Sequence, residues 1–392
     1  FTAVSGVGYF VNTTAGAITV TLPASPSAGD VVAVSDYAGT SDTNNITIGR
    51  NGSNINGAAA DLTVSNENSA ITLVYVDGTQ GWKATDTSSL TDIELQPSYI
   101  TATGGTPTTC GDYKIHTFTG PGTFTVSTIG NPIGGPSNVD YLVVAGGGGG
   151  GNGQYAGGGG GAGGYRESSG VASGSYTASP LGACVSALPV SVQGYTITVG
   201  GGAPTITAPT RPGGDGSNST FSTIISTGGG GGGGGANAPG VGAAGGSGGG
   251  SATYGCTAGG AGNTPPVSPP QGNAGGNVGD FAGTATKGGG GGGATSAGTG
   301  STTPPTSAAG PGGNGATSSI TASPVTRAGG GGGSTDLGGP QGTGGPGGGG
   351  NGDNGSSATA GTVNTGSGGG GGKGNGGGGG SGIVIIRYKF QN

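Results

Sequence analysis

Runs of consecutive glycine constrain the folding of this chain more than any other feature. Glycine fills 108 of its 392 positions. Polyglycine has no side chains to pack, and ordering it costs more backbone entropy than ordering any other residue. A glycine run can therefore fold only where its N–H and C=O groups find partners in other segments. The longest runs are Gly146–Gly151, Gly157–Gly161, Gly228–Gly235, Gly288–Gly293, Gly329–Gly333, Gly347–Gly350, Gly368–Gly372 and Gly376–Gly380.

Short apolar segments flank the glycine region. Val139–Ala145 leads into the first run, and Gly382–Phe390 follows the last. Such segments predict strands that anchor both ends in a folded body. We expect an ordered bundle of polyglycine II helices, which have three residues per turn and bond to their neighbours. Disorder is the alternative, and collagen is disfavoured because the runs lack its strict tripeptide period.

Composition and charge disfavour several classes of function. Only 7% of residues are charged, the formal net charge is −6, and the ten basic residues are scattered. Nucleic-acid binding needs a basic stripe, so we expect none. No apolar stretch approaches the ~20 residues of a membrane-spanning helix, so we expect no membrane insertion. The chain begins at Phe1 and lacks methionine, which indicates either processing or a longer parent polypeptide.

Three cysteines, Cys110, Cys184 and Cys256, give an odd count. The sequence permits one disulfide in any of three pairings, with one free thiol. It equally permits three buried, reduced cysteines. No Cys-x-x-Cys motif or neighbouring histidine accompanies them, so a zinc site is not expected.

Residues 1–92 are predicted to form an all-β attachment or spacer module. Alternating apolar residues indicate half-buried strands. Asn51-Gly52 and Asp77-Gly78 are turn pairs that favour positive φ angles, and Trp82 is expected in the core. The predicted strands are Ala17–Leu22, Asp30–Val34, Asn45–Ile48 and Ala70–Val76.

Residues 93–109 are predicted to be a linker, and residues 110–392 a glycine-rich domain. The domain is expected to have a strand base near 113–145, 195–199, 219–227 and 383–390, with the polyglycine bundle at 146–380. Tyr113–Phe118 and Thr123–Val126 are predicted to form a hairpin. The continuous apolar run Ile383–Ile386 indicates a strand covered on both faces, expected to pair with Tyr141–Val144. The expected fold class is all-β plus glycine-rich, with essentially no α-helix.

The chain resembles the glycine-rich domain of bacteriophage tail-fibre and adhesin proteins. The residues that carry this resemblance are His116–Val126 (HTFTGPGTFTV), Tyr141–Gly147 (YLVVAGG), Tyr195–Gly200 (YTITVG) and Gly380–Tyr388 (GSGIVIIRY). Residues 1–92 are similar to modules in structural proteins of large tailed phages, notably marine and cyanobacterial ones, through Gly8–Val11, Thr19–Asp30 and Leu73–Trp82. The resemblance implies a sandwich of polyglycine helices whose end loops bind a receptor on the host surface.

The sequence indicates no enzymatic site. His116 is the only histidine, and it stands on a Thr-rich strand without the surroundings of a catalytic triad, which favours an interstrand or surface role. Acidic residues in the glycine region are isolated, so the acid pairs of glycosidases are missing. Gly275–Asp280 resembles a calcium-binding glycine/aspartate repeat but lacks its nonapeptide period. We therefore expect no enzyme, no cofactor and no metal.

Recognition would have to come from the segments between glycine runs. Aromatic and arginine side chains contribute most of the affinity at small interfaces; the alternative role for each of them is to cap the bundle. The spacers are 164–192, 203–220, 236–247, 251–277, 294–328, 334–346 and 351–367. The candidate receptor-binding residues in or beside them are Tyr155, Tyr165, Arg166, Arg211, Tyr254, Phe281 and Arg327.

The expected function is that of a virion or extracellular tail-fibre or adhesin subunit. The resemblance implies as partners a polysaccharide or outer-membrane protein of a host bacterium and other virion tail proteins. A homo-oligomer is expected, with a trimer favoured. The alternatives are a structural filament subunit without a receptor and an ice-binding protein, which would need a strict tripeptide repeat and a flat face.

Overall fold

The computed structural model describes most of the chain, in two compact units. The first unit comprises Phe1–Thr101, Thr128–Ser137 and Phe390–Asn392, and the second comprises Ala102–Ser127 and Asn138–Lys389. The described residues are 1–87, 93–95, 97–153, 155–174, 176–182, 184–207, 211–235, 240–252, 258–278, 287–301, 308–336, 339–355 and 357–392.

Strands account for nearly all of the regular structure. One 3-10 turn, Pro180–Gly182, is the only helical element among the residues described, so the all-β, glycine-rich fold class is confirmed. The strands are β1 (Val7–Val11), β2 (Ile18–Thr21), β3 (Val31–Asp36), β4 (Ile46–Gly49), β5 (Leu62–Val64), β6 (Ala70–Asp77), β7 (Gly81–Thr87), β8 (Ile93–Leu95), β9 (Thr101–Thr103), β10 (Thr106–Cys110), β11 (Tyr113–Phe118), β12 (Gly122–Thr128), β13 (Asn138–Val144), β14 (Tyr165–Glu167), β15 (Leu188–Pro189), β16 (Gly194–Thr198), β17 (Ser219–Phe221), β18 (Ile224–Ser226), β19 (Ala316–Ser318), β20 (Val325–Arg327) and β21 (Ile383–Lys389).

The first unit contains two four-stranded sheets, ordered β1-β3-β6-β7 and β2-β4-β5-β8. One apolar cluster holds side chains of both sheets, with Trp82, Leu73, Leu62 and Ile48 fully buried. The chain passes between the sheets after each of its first strands, so β1–β3 and β2–β4 pair in parallel. Alternation of apolar residues along these strands thus places one face of each sheet in a shared core.

All four predicted strands of this unit form, as β2, β3, β4 and β6. Asn51 and Gly52 have φ angles of 46° and 92°, as their pairing predicted. At the other turn the positive φ lies at Gly81 (69°) instead of Gly78. There the Asp77 carboxylate accepts hydrogen bonds from the amides of Thr79 and Gln80 and so closes the turn.

The boundary between the units differs from the predicted linker at 93–109. Residues 93–95 form β8, which pairs with β5 and completes a sheet of the first unit. Strands β9 and β10 also fall in this range and join two different sheets of the second unit. The turn-forming residues Gly104 and Gly105, which suggested a linker, have positive φ angles between β9 and β10.

The second unit has a sheet ordered β10-β11-β21-β13-β14, with β15 also paired to β13. Its centre is the antiparallel pair β13–β21, in which Tyr141 lies opposite Ile386 and Val144 opposite Ile383. This confirms the predicted pairing of the last strand. Both strands are buried along almost their whole length, as expected for strands covered on both faces.

The predicted hairpin of β11 and β12 does not form. β11 is filled on one edge by β10 and on the other by β21. β12 pairs with β16 in a second sheet, ordered β18-β17-β16-β12-β9. The Gly120-Pro121-Gly122 turn therefore carries the chain from one sheet to the other.

An aromatic cluster joins these two sheets. The ring of Phe124 on β12 lies 5.2 Å from that of His116 on β11 and 6.1 Å from that of Tyr388 on β21. His116 is buried; its Nδ1 lies 2.6 Å from the Gly104 carbonyl oxygen and its Nε2 lies 3.0 Å from the Tyr388 hydroxyl. Nδ1–H must donate to the carbonyl, so Nε2 accepts from Tyr388. The histidine thus has the interstrand role that its sequence position favoured.

Candidate functional site

The glycine runs form a hydrogen-bonded lattice that begins where β13 ends. In residues 146–152, every third amide donates to the same neighbouring run, with N–H···O distances of 2.8–3.0 Å. Gly147 and Gly150 donate to residues 380 and 377; Gly148 and Gly151 donate to 161 and 158; Gly146, Gly149 and Asn152 donate to 217, 214 and 211. Carbonyls of the same run accept from residues 203, 229, 232, 369 and 372. A period of three is that of an extended helix with three residues per turn.

Close approach between runs explains why glycine is required there. A Cβ added at Gly150 would lie 1.9 Å from the Gly370 carbonyl oxygen, and one at Gly148 would lie 2.2 Å from that of Gly230. None of the glycines in 146–151 or 228–235 has a positive φ. Glycine is therefore required at these positions because it has no side chain, and not because it can adopt a positive φ.

Consecutive runs alternate in direction. Partners of Gly148 and Gly151 descend in number, which marks an antiparallel neighbour at 157–164. Gly229 and Gly232 donate to Gly146 and Gly149, which marks a parallel neighbour at 228–235. Whether the partner numbers rise or fall gives the direction of each of the other runs. Among the residues described, nine runs have the direction of the first: 146–152, 200–204, 228–235, 247–252, 272–278, 297–301, 330–335, 349–353 and 367–372. Nine have the opposite direction: 157–164, 211–217, 240–245, 258–262, 288–293, 309–314, 342–346, 359–362 and 376–382.

Because consecutive runs alternate in direction, the segments that join them lie at one of two ends of the glycine-rich region. The sheet end is the end where β13 enters run 146–152 and run 376–382 leaves into β21. The far end is the opposite one, at which the chain turns back after residues 152, 204, 235, 252, 278, 301, 335, 353 and 372. Most of the spacers predicted from the sequence contain a short lattice run as well as turns, because runs such as 258–262 and 359–362 contain residues other than glycine and still join the lattice. The spacer 164–192 differs, since it lies at the sheet end and holds β14 and β15.

The candidate residues separate between these ends. Tyr155 and Arg211 lie at the far end, where the backbones of Asn152 and Arg211 exchange hydrogen bonds of 2.8 and 3.0 Å. Tyr254 and Phe281 lie outside the described residues; the runs preceding them, which end at 252 and 278, both run toward the far end. Tyr165, Arg166 and Arg327 lie at the sheet end, on β14 and β20.

The far end carries polar and charged side chains near the turns of several runs. Arg211 is exposed and Tyr155 is half-buried. The Asn152 side-chain amide donates to the Gly374 carbonyl at 2.7 Å, next to Lys373, whose ammonium lies 2.5 Å from a carboxylate oxygen of Asp336. The hydrogen bond and the charge of Asp336 raise the pKa of Lys373. This end therefore presents the cationic groups of Arg211 and Lys373 and the half-buried ring of Tyr155.

Tyr165 and Arg327 belong to a buried polar cluster at the sheet end. The Tyr165 hydroxyl donates to the Glu167 carboxylate at 3.0 Å, and the Ser179 amide donates to the same oxygen at 2.9 Å. Burial raises the pKa of Tyr165, and the charge of Glu167 raises it further. Burial lowers the pKa of Arg327, opposed by Tyr165 and Glu167. Both side chains are at most 6% exposed, which leaves no surface for a receptor. The Ser318 hydroxyl donates to the Glu167 carboxylate and so joins β14 to the β19–β20 hairpin.

Asp140 and Arg387 are buried charges that the sequence analysis missed. Asp140 accepts four hydrogen bonds, from the hydroxyls of Ser168 and Ser173 and the amides of Gly170 and Ser173. The Arg387 guanidinium lies 4.7 Å from the ring centre of Tyr113 and 5.3 Å from that of Tyr176. A lone charge inside an otherwise apolar strand is the signal that could have found both. Their contacts fix the loop after β14 and the neighbouring strand edge.

The sequence analysis also made predictions about the cysteines, a metal site and a membrane-spanning helix. Cys110 is half-buried and Cys184 is exposed, and both are free thiols, so the alternative of three buried cysteines does not hold for Cys184. Cys256 lies outside the described residues. Within the described part of the chain, no group of three or more His, Cys, Asp or Glu side chains could hold a metal ion. No helix in that part is long and apolar enough to span a membrane.

Comparison with known protein families identifies a glycine-rich domain in this chain. The family model described as a glycine-rich domain covers residues 119–389, most of the chain. The chain belongs to the glycine-rich domain family. The match runs from the turn before β12 to the end of β21, so it includes the whole lattice and all strands of the base except β9, β10 and β11. A search of curated proteins finds no match to the chain.

Proposed function

We propose that this protein is a bacteriophage tail-fibre or adhesin subunit, extracellular on the virion, whose glycine-rich domain binds a receptor on a host bacterium. In this proposal the runs are polyglycine II helices that form a rigid scaffold. The strict alternation of the runs carries the proposal, because it gathers the turns into two sets at opposite ends. The candidate residues at the sheet end are mostly buried, whereas Arg211 at the far end is exposed, so we infer that the far end faces the receptor.

Chemistry at the far end supports a carbohydrate or an anionic surface group as the receptor. Arg211 is exposed, Tyr155 stands beside the first turn, and Tyr254 and Phe281 follow runs that head to this end. Arginine donates several hydrogen bonds to anionic or hydroxyl groups, and aromatic rings anchor small interfaces. Tyr165 and Arg327 are left out of the receptor site because they are buried.

Adsorption of the full chain to candidate host cells tests this function. Arg211→Ala and Tyr155→Ala should each weaken adsorption about 5- to 150-fold, the loss of ~1–3 kcal/mol typical of an interface anchor. Arg166→Ala is the matched control, because Arg166 is half-buried on β14 at the sheet end. Each variant should keep the wild-type melting temperature.

Two outcomes would contradict the proposal. A folded chain that adsorbs to none of the host strains on which its phage grows would remove the receptor role. Loss of adsorption in Arg166→Ala with no loss in Arg211→Ala would move the receptor to the sheet end. Assembly of the non-adsorbing chain into filaments would favour a structural fibre subunit instead.

A further inference from the structure

Strand β1 is an open edge of the first unit. In the sheet β1-β3-β6-β7, β1 has a described strand on one side only. An edge strand presents backbone N–H and C=O groups that can pair with another chain. β1 is also apolar at its surface, since Phe10 is 79% exposed and Val7 is 41% exposed. Phe1 and Val4, just before β1, and Tyr37, whose amide donates to the Val11 carbonyl, add further exposed apolar surface.

The opposite edge of the same sheet is protected and β1 is not. β7 carries Lys83, and its pairing with β6 has two register shifts, at Thr72/Leu73 and Tyr75/Asp77. Charged side chains and bulges are the devices that keep an edge strand from pairing with another sheet. β1 pairs with β3 in continuous register over all five of its residues. Residues 1–29, which include β1, contain no charged side chain.

We propose that β1 is a self-association edge, at which a second copy of this chain adds its own β1. The two strands would run antiparallel about a two-fold axis and continue the sheet from four strands to eight, with Phe10 and Val7 of each copy covered by the other. The absence of charge along the edge favours a second copy, because the whole chain carries a formal net charge of −6. The uncharged edge is where two such chains meet without like-charge repulsion.

This geometry specifies a dimer in place of the trimer expected from the sequence. A ring of three built by strand addition within this sheet needs both of its edges open on each chain, β1 to give and β7 to receive. The bulges and Lys83 close the β7 edge to that role. An isologous contact uses the same edge twice and is complete with two copies.

Light scattering coupled to size exclusion tests the proposal on the full chain. The wild type should show twice the 35.7 kDa chain mass. Phe10→Lys places a charge on each copy at the pairing edge and should halve the measured mass. Val363→Lys, at a position 68% exposed in the second unit, is the matched control and should remain a dimer. Far-UV circular dichroism should show that both variants fold.

Hydrogen exchange on the wild type gives a second measurement that does not depend on how Phe10→Lys folds. The amides of β1 that point away from β3 should become protected as concentration rises and lose that protection on dilution, while amides of β7 should not change. A monomer at every concentration, or a trimer mass, would overturn the proposal. So would a folded Phe10→Lys protein that keeps the dimer mass, or concentration-dependent protection at β7 alone. Because this edge lies outside the glycine-rich domain, receptor binding can fail without affecting either result.

Discussion

A single Cβ atom decides whether a glycine run fits in this domain. Gly231 lies within run 228–235, and a Cβ added there would lie 1.9 Å from the Gly213 carbonyl oxygen. Its amide donates to the Asp215 carboxylate at 2.8 Å, and its carbonyl accepts from Ala243. The position therefore touches two neighbouring segments through backbone atoms, which cannot yield as a flexible side chain can.

Gly231→Ala should lower the free energy of unfolding by about 1–3 kcal/mol, because parting the runs breaks a buried hydrogen bond. The melting temperature of the full chain, followed by circular dichroism, measures the effect. Gly374→Ala is the control, since a Cβ at that exposed position meets nothing within 4 Å. Equal melting temperatures for the two variants would show that the runs are not packed as described.

His116 makes stability depend on pH. Burial lowers its pKa below the ordinary 6.5, and the bond to the Gly104 carbonyl only partly opposes this. Below about pH 6.5 the unfolded chain takes up a proton that the folded chain does not. Stability should therefore fall as pH drops from 6.5 toward the lowered folded pKa, and should be insensitive to this group above 6.5.

Denaturant unfolding between about pH 7 and pH 5 measures this effect. His116→Gln removes the titrating group, so the variant should be less stable at neutral pH but should lose less stability on acidification than the wild type. Parallel pH profiles for the two proteins would mean that His116 does not carry the dependence.

Among the elements, β21 has the greatest influence on the second unit. It lies between β11 and β13 and pairs with each over five or more residues. Ile385 is fully buried at its centre, opposite Leu142 on one side and Thr117 on the other. A charge there would have neither a partner nor water, and such a group costs several kcal/mol.

Ile385→Asp should prevent the second unit from folding. Ile225→Asp is the matched control, because Ile225 is also a strand isoleucine but is 50% exposed on β18. Limited proteolysis reports the outcome: the control should keep a protected glycine-rich domain, and Ile385→Asp should be cut throughout it. A protected domain in both proteins would make β21 dispensable.

Sequence pattern predicted some elements well and others poorly, for identifiable reasons. Continuous apolar character predicts buried strands at Ile383–Ile386 and Tyr141–Val144. Their pairing was predicted because they lie at the two ends of the glycine region. The predicted β11–β12 hairpin is wrong because it rested on proximity in sequence, whereas β11 pairs with β10 on one edge and with β21 on the other. Runs such as 359–362 were missed because they contain threonine and alanine at positions where a side chain fits.

At the scale of the whole molecule, the lattice connects segments far apart in sequence. Run 146–152 bonds to runs near 160, 214, 230, 370 and 379. Order among so many glycines costs much backbone entropy, so one run alone gains too little to stay ordered. The sequence indicates that such a bundle forms, because strands flank it. It does not indicate which run lies beside which, since all glycine runs offer the same groups.

Because each run depends on its neighbours for order, we expect the runs to unfold cooperatively. In hydrogen exchange measured by NMR, the amides of Gly147, Gly148 and Gly151 should exchange only through unfolding of the whole second unit, at the rate of the β13 and β21 amides. Gly374, exposed near the far end, should exchange far faster and serves as the control. Gly231→Ala should speed exchange at Gly147, Gly148 and Gly151 equally, although they are distant in sequence, because loss of one run weakens a lattice that all of them need. Fast exchange at every glycine would identify a disordered linker, and an effect of Gly231→Ala confined to residues near 231 would show that the runs fold independently.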